Sequence, residues 1–211
     1  MRPLTGIPVL VTIEAQQGYD HESYWGSRSN PRAEYNIARL QTAFRLAGQH
    51  VVHVQYETPD RESPLFRLAP GFAFKQEVAP RAGEVVLNAR VHNAFIGTGL
   101  DGVLRQVGAS LVVVAGFTTC LAVSTTVRMA SDMGFQVVAA EDAMCQFDLP
   151  TPAGPPVPAL LAHDVELCAL QAESAEVMPV DLVLASLWPR YRALAEHTPR
   201  WAPRISAVRY R

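Results

Sequence analysis

The sequence predicts a doubly wound α/β fold, a single parallel β-sheet with helices on both faces. Three features point there. Apolar runs of strand length recur along the chain, they lack the alternation of a half-exposed strand, and segments of helical periodicity separate most of them. Strands covered on both faces read as continuous apolar runs, and parallel neighbours need a crossover connection, most simply a helix.

The run PVLVTIE (8–14) reads as the first strand. In NPRAEYNIARLQTAFRLAG (30–48), Asn30 is the expected N-cap and Pro31 the first helical residue. Ile37, Leu40, Phe44 and Ala47 form the apolar stripe of that helix, and Gly48 stops it. HVVHVQY (50–56) and EVVLNA (84–89) read as the second and third strands. In TGLDGVLRQVG, Thr98 and Asp101 stand in capping-box spacing before Leu100, Val103, Leu104 and Val107 at helical spacing. SLVVVAG (110–116) is the fourth strand, followed by a helix to about Met133, and FQVVAAEDA is the fifth. VPALLAHDVELCALQAES reads as a further helix and AEVMPV as a last strand, while the Pro-rich segment 150–158 is a loop.

A chain of 211 residues with 49% apolar content fits one domain with a substantial core. The expected division is an α/β domain over 1–187 and an arginine-rich extension over 188–211. The net charge of −2 lacks the basic footprint of a nucleic-acid binder. No stretch has the roughly 18 apolar residues of a membrane span, and the Met1 end does not read as a signal peptide. The expectation is therefore a cytoplasmic protein with no membrane or nucleic-acid partner. The three cysteines, Cys120, Cys145 and Cys168, do not suggest a disulfide framework, and no spacing suggests zinc. His50 and His53, three apart in a strand, face opposite sides of a sheet and cannot easily share a metal. No metal or cofactor is expected. There are 17 arginines and one lysine, so a mechanism that needs a lysine has only Lys75, in the loop after the second strand, where a solvated side chain is the plainer expectation.

In open α/β sheets ligands bind beyond the carboxyl ends of the strands. Glu14 ends an apolar strand there, where desolvation raises a carboxyl pKa. The turn after the fourth strand offers backbone N–H groups at a helix start, an anion or oxyanion site. His92, at the end of the third strand, is a candidate acid or base, or simply a loop histidine.

VLVTIEAQQGY, HNAFIGTGL, LVVVAGFTTCLAVSTTVRMASDMGFQVVAAEDA and LLAHDVELCAL together resemble the isochorismatase-like cysteine hydrolase family, which includes isochorismatases, nicotinamidases and N-carbamoyl amide hydrolases. The likeness covers roughly residues 6–184, and YWGSRSNP and FAFKQEVAP resemble one subgroup of small-amide hydrolases. The family fold agrees with the one read above. Its enzymes use an Asp, a Lys and a Cys. By the resemblance, Glu14 stands at the Asp position, Ala89 at the Lys position and Ala122 at the Cys position. Cys120 falls two residues short of the nucleophile, about 200° away around a helix, and is expected to be a bystander. Thr119 matches the family threonine that steadies this loop.

The residues leave three readings open. One is thiol-independent hydrolysis of a small amide or vinyl ether. Glu14 acts as acid or base with water, as in isochorismatases that lack the cysteine, and the N–H groups of Leu121 and Ala122 hold an anion. The second is a non-catalytic small-molecule binder or scaffold subunit, with Tyr24, Trp25, Phe95 and Phe117 lining the pocket. The third is a thiol enzyme with Cys120 as a relocated nucleophile. The resemblance also implies a homo-oligomer.

Overall fold

The central strands bury both faces, so their side chains alternate between two separate apolar layers. A computed structural model describes residues 4–188; the expected arginine-rich extension lies outside them except for Trp188. Six strands form one parallel sheet: β1 (Pro8–Ile13), β2 (Val51–Tyr56), β3 (Val85–Ala89), β4 (Leu111–Phe117), β5 (Gln136–Cys145) and β6 (Glu176–Met178), in the order β3-β2-β1-β4-β5-β6. Among the described residues six α-helices complete the fold: α1 (Glu22–Trp25), α2 (Ala33–Leu46), α3 (Leu100–Gln106), α4 (Ser124–Asp132), α5 (Ala159–Glu173) and α6 (Val180–Leu187). One layer packs Leu10, Val113 and Ala115 of the sheet against Ile37, Leu40 and Phe44 of α2 and Val183 of α6. The other packs Val9, Val11, Ile13, Val112 and Val114 against Leu104 of α3, Val127 of α4 and Leu170 of α5. Fully burying each of these branched side chains contributes roughly 1.5–3 kcal/mol.

The doubly wound sheet is as the sequence predicts; several boundaries differ. Helix α2 begins at Ala33 rather than Pro31. Asn30 does not cap it. Its Oδ1 accepts the Arg32 N–H at 2.9 Å in a preceding turn, and its Nδ2 donates to the carbonyls of Asp142 and Met144, tying the helix entry to β5. No capping box forms at α3: Thr98 Oγ1 accepts the Leu100 N–H at 3.2 Å, while Asp101 pairs with Arg105 at 2.7 Å. Helix α6 follows β6, which Pro179 closes; it went unassigned in the sequence because its apolar run is short.

The order of strands reverses between β1 and β4, which pair from Pro8–Leu111 to Ile13–Gly116. A doubly wound sheet opens its ligand crevice at that switch point, so the carboxyl ends of these two strands, Glu14 and Phe117, frame the place where a site is expected. Gly116 makes the close approach possible: a Cβ there would collide with the Ile13 carbonyl oxygen.

Candidate active site

Glu14 follows the last residue of β1 with φ at 50°, an uncommon backbone region for a residue with a side chain. Its N–H still pairs with the Val54 carbonyl at 2.7 Å, so the strand ladder ends on it. Gln16 anchors the next stretch of chain. Its amide donates to the carbonyls of Tyr56 and Phe72 and accepts the Tyr56 N–H at 2.7 Å. The chain then turns through Gln17–Asp20 and presents Tyr19 to the carboxyl group. The Tyr19 hydroxyl donates to Glu14 Oε2 at 2.5 Å. Glu14 is 1% exposed, and burial pushes its pKa up to about 8, with the Tyr19 hydrogen bond opposing the shift. At pH 7 most molecules therefore carry the neutral acid. Burial and the neighbouring Glu14 in turn raise Tyr19 well above the ordinary phenol range.

An aromatic stack closes over the pair. Tyr19 stacks on Phe117 with centroids 5.3 Å apart and on Phe147 at 5.6 Å, and Trp25 leans on Tyr19 at 4.9 Å. Trp25 is oriented by its own N–H to the Gly18 carbonyl at 2.8 Å. Phe117 is also flanked by two cations, Arg28 and Lys75, each 5.6 Å from the ring centre. Both are paired. Arg28 Nη2 donates to the two Glu34 oxygens at 3.0 and 2.9 Å. The Lys75 ammonium lies 3.1 Å from Glu34 and also donates to Asp20. Lys75 is 3% exposed, which overturns the expectation of a solvated loop lysine: two carboxylates and a ring face replace the water it gives up.

The other candidates named from the sequence are scattered. Trp25 and Phe117 meet around Tyr19, and Tyr24 stands outside them, half-exposed with its ring edge-on to Trp25. Phe95 packs against the opposite layer beside Phe135, so the four aromatics do not line one pocket. Ala89 and Ala122 are buried in that same opposite layer, with Ala94 and Val123. His92 is exposed, its ring tilted against Tyr56 at 4.9 Å.

The turn after β4 starts with a cis Phe117–Thr118 peptide and is one residue wider than an α-turn, with the Val123 N–H reaching the Thr118 carbonyl at 3.2 Å. Thr119 is pinned to His163 of α5 at 2.9 Å. Two of the N–H groups here are engaged: Leu121 donates to Thr118 at 3.2 Å and Cys120 to the Gln146 side chain at 2.9 Å. The Leu121 N–H expected to face an anion is thus turned inward. Cys120 Sγ points to the Ala162 carbonyl of α5 at 3.3 Å, and burial, with Glu166 nearby, pushes the thiol up to about 11. Cys145 is fully buried at the end of β5, and Cys168 is exposed on α5. Among the described residues no group of three His, Cys, Asp or Glu could hold a metal ion.

Residues 8–153 match the isochorismatase domain, more than half of the chain. The chain belongs to the isochorismatase family. An isochorismatase-family structure from Chromobacterium violaceum shares 38% identity and superposes with a TM-score of 0.83, over 89% of this chain and 98% of that one. The isochorismatase family protein YrdC of Bacillus subtilis is 32% identical over 83% of this chain and 93% of its own length. The maleamate amidohydrolase of Pseudomonas putida is 29% identical over 65% of this chain and 71% of its own. The family fold is the sheet described above. No described helix is long and apolar enough to cross a membrane.

Tyr19, Gln16, Phe147 and the carboxylate partners of Lys75 were not singled out in the sequence. The signal for Tyr19 was its position five residues after a strand-end acid; Lys75 itself stood out as the one lysine, but not as a buried one.

Proposed function

We propose that this isochorismatase-family chain hydrolyses a small substrate without a thiol, through the acid of the Glu14–Tyr19 pair. One observation carries the reading: a wholly buried carboxyl group stands at the switch point of the sheet, where burial raises its pKa and favours the neutral acid. Tyr19 donates to Oε2, which leaves the carboxyl proton to Oε1. A vinyl ether suits such a donor. Glu14 protonates the terminal vinyl carbon, water adds to the oxocarbenium ion, and the hemiketal splits into a carbonyl compound and an alcohol; the proton lost by the water restores the acid. Alanines at positions 89 and 122 supply neither cation nor nucleophile for covalent amide hydrolysis, and the Cys120 thiol stays protonated near neutral pH. Amides, the substrate class named for the Pseudomonas relative, remain a test case.

A second reading, a non-catalytic binder or scaffold, draws on a different observation. The stack of Tyr19, Phe117, Phe147 and Trp25 leaves Glu14 almost no contact with solvent, so a substrate reaches it only if that stack opens.

The deciding experiment is a panel of isochorismate, maleamate and N-carbamoyl amines, run on the wild type, Glu14→Gln and Cys120→Ser. Turnover abolished by Glu14→Gln and kept by Cys120→Ser supports the acid mechanism. Loss with Cys120→Ser overturns it in favour of a relocated thiol. Saturable binding with no turnover leaves the binder reading.

A further inference from the structure

We infer that Lys75 is a positioning residue for the Glu14–Tyr19 pair, holding both the turn that carries Tyr19 and the ring on which Tyr19 rests. The inference builds on the reading of Glu14 as the acid of the site.

Segment 73–75 runs alongside 15–17. Ala15 accepts the Lys75 N–H at 3.0 Å, Gln17 donates to the Ala73 carbonyl at 2.8 Å, and Gln16 bridges Phe74. This aims the Lys75 side chain beneath the Gln17–Asp20 turn. The ammonium bonds Asp20, the neighbour of Tyr19 in that turn. It also bonds Glu34 on α2 and sits on the face of Phe117, whose ring stacks on Tyr19 at 16° between planes. Lys75 thus reaches Tyr19 by two routes, through its backbone neighbour and through the ring it stacks on. Arg28, paired with Glu34 of α2, braces the same ring. Among the described residues, Tyr19 is hydrogen-bonded to the Glu14 carboxyl and Tyr56 of β2 is electrostatically coupled to it; Lys75 bonds Asp20 and Glu34 and acts through Tyr19.

A charge effect and a positioning effect have opposite signs here. Removing a nearby cation, taken alone, raises a carboxyl pKa. Releasing Tyr19 removes a hydrogen bond that lowers the Glu14 pKa but also admits water, and because burial is the larger cause the net shift is downward.

The test is the titration of Glu14 by carboxyl-carbon NMR, with its resonance assigned by loss in Glu14→Gln. In Lys75→Met the Glu14 midpoint is expected to fall by about one unit or more, and in Lys75→Arg to return to within about half a unit of wild type. A residue that only stabilises the fold would lower the melting temperature without moving that midpoint. A midpoint that stays or rises in Lys75→Met overturns the inference. Should Lys75→Met not fold, Asp20→Asn breaks only the outer bond. Hydrogen exchange over residues 17–21 is then expected to quicken by about tenfold while β1 is unchanged, and exchange equal to wild type overturns the inference. Both readouts are independent of turnover. If Glu14→Gln keeps full activity, the acid mechanism fails while the positioning role stands or falls on its own measurements.

Discussion

Two glutamates largely withdrawn from solvent sit in different parts of the sheet and titrate in opposite directions. Glu14, at the carboxyl end of β1, has one side-chain hydrogen-bond donor among the described residues, Tyr19, and is pushed up to about 8. Glu84, just before β3, accepts from Arg45 through Nε and Nη2 at 2.7 and 2.8 Å, from the Arg81 N–H at 2.8 Å, and bonds His53 at 2.9 Å. Burial would raise Glu84 too, but those donors, Arg45 foremost, hold it down to about 2. The difference lies in the partners supplied to each. A carboxylate saturated with donors and a cation is part of the scaffold. One given a single phenol is kept as a neutral acid, the state that general-acid chemistry needs at pH 7.

The largest expected effect comes from the opposite signs. Glu14 has a folded pKa above its unfolded value, so the stability it contributes is full below about pH 4.5 and declines as pH rises through 8. Glu84 has a folded pKa below its unfolded value, so its contribution is full above about pH 4.5 and is lost as pH falls through 2. Glu14→Gln removes the first slope only. Urea unfolding is expected to show the variant more stable than wild type at pH 9 by up to about 5 kcal/mol, and close to it at pH 5. Parallel curves for the two proteins from pH 5 to 9 would mean that Glu14 ionises freely in the fold.

Arg45→Met attacks the other side. It leaves Glu84 beside a buried His53 without its cation, and a loss of about 3 kcal/mol at pH 7 is expected in the same urea assay. Glu84 should also titrate nearer the ordinary carboxylate range. A loss below about 0.5 kcal/mol would place this pair with exposed ion pairs and blunt the contrast with Glu14.

The contrast was only half legible in the sequence. The alternation of apolar runs and helices marked the six strands, because the burial that the central ones need on both faces is written locally into composition. Glu14 stood out for the same reason, as an acid closing an apolar run. What decides its chemistry was not legible. Tyr19 reaches it only because the chain turns at Glu14 and Gln16 clamps the far side of that turn to β2 and Phe72. Lys75 reads as solvated until Asp20 and Glu34, 55 and 41 residues away, are brought to it. Asn30 has the composition of an N-cap, yet tertiary bonds to β5 claim its amide. Partners distant in sequence, rather than residue type, separate a structural charge from a reactive one.

Tyr19→Phe sharpens the comparison at the level of one atom. The ring and its stacking stay, so the acid stays dry, but its donor is gone. Because that hydrogen bond holds the Glu14 pKa down, the midpoint is expected to rise above 8, opposite to the fall expected when Lys75 is removed. The stability cost should be about 1 kcal/mol, that of one buried hydrogen bond. A midpoint that falls in Tyr19→Phe would show that the hydroxyl, not the ring, keeps water out.

The smallest effect concerns the thiol. Burial raises Cys120 as it raises Glu14, here with Glu166 adding to it, yet the chemical result is reversed. A raised carboxyl gains a proton to give, whereas a raised thiol loses the anion that attacks. Cys120→Ser keeps a donor for the Ala162 carbonyl, so stability should stay within about 0.5 kcal/mol of wild type and turnover should be untouched. Alkylation read by mass spectrometry orders the three thiols. Cys168 reacts first because it is exposed, Cys120 lags until strongly alkaline pH, and Cys145 reacts only on unfolding. A Cys120 that alkylates to completion below pH 8, ahead of Cys168, would show a thiolate stabilised in solution. The reactive centre would then lie in the turn after β4 rather than at Glu14.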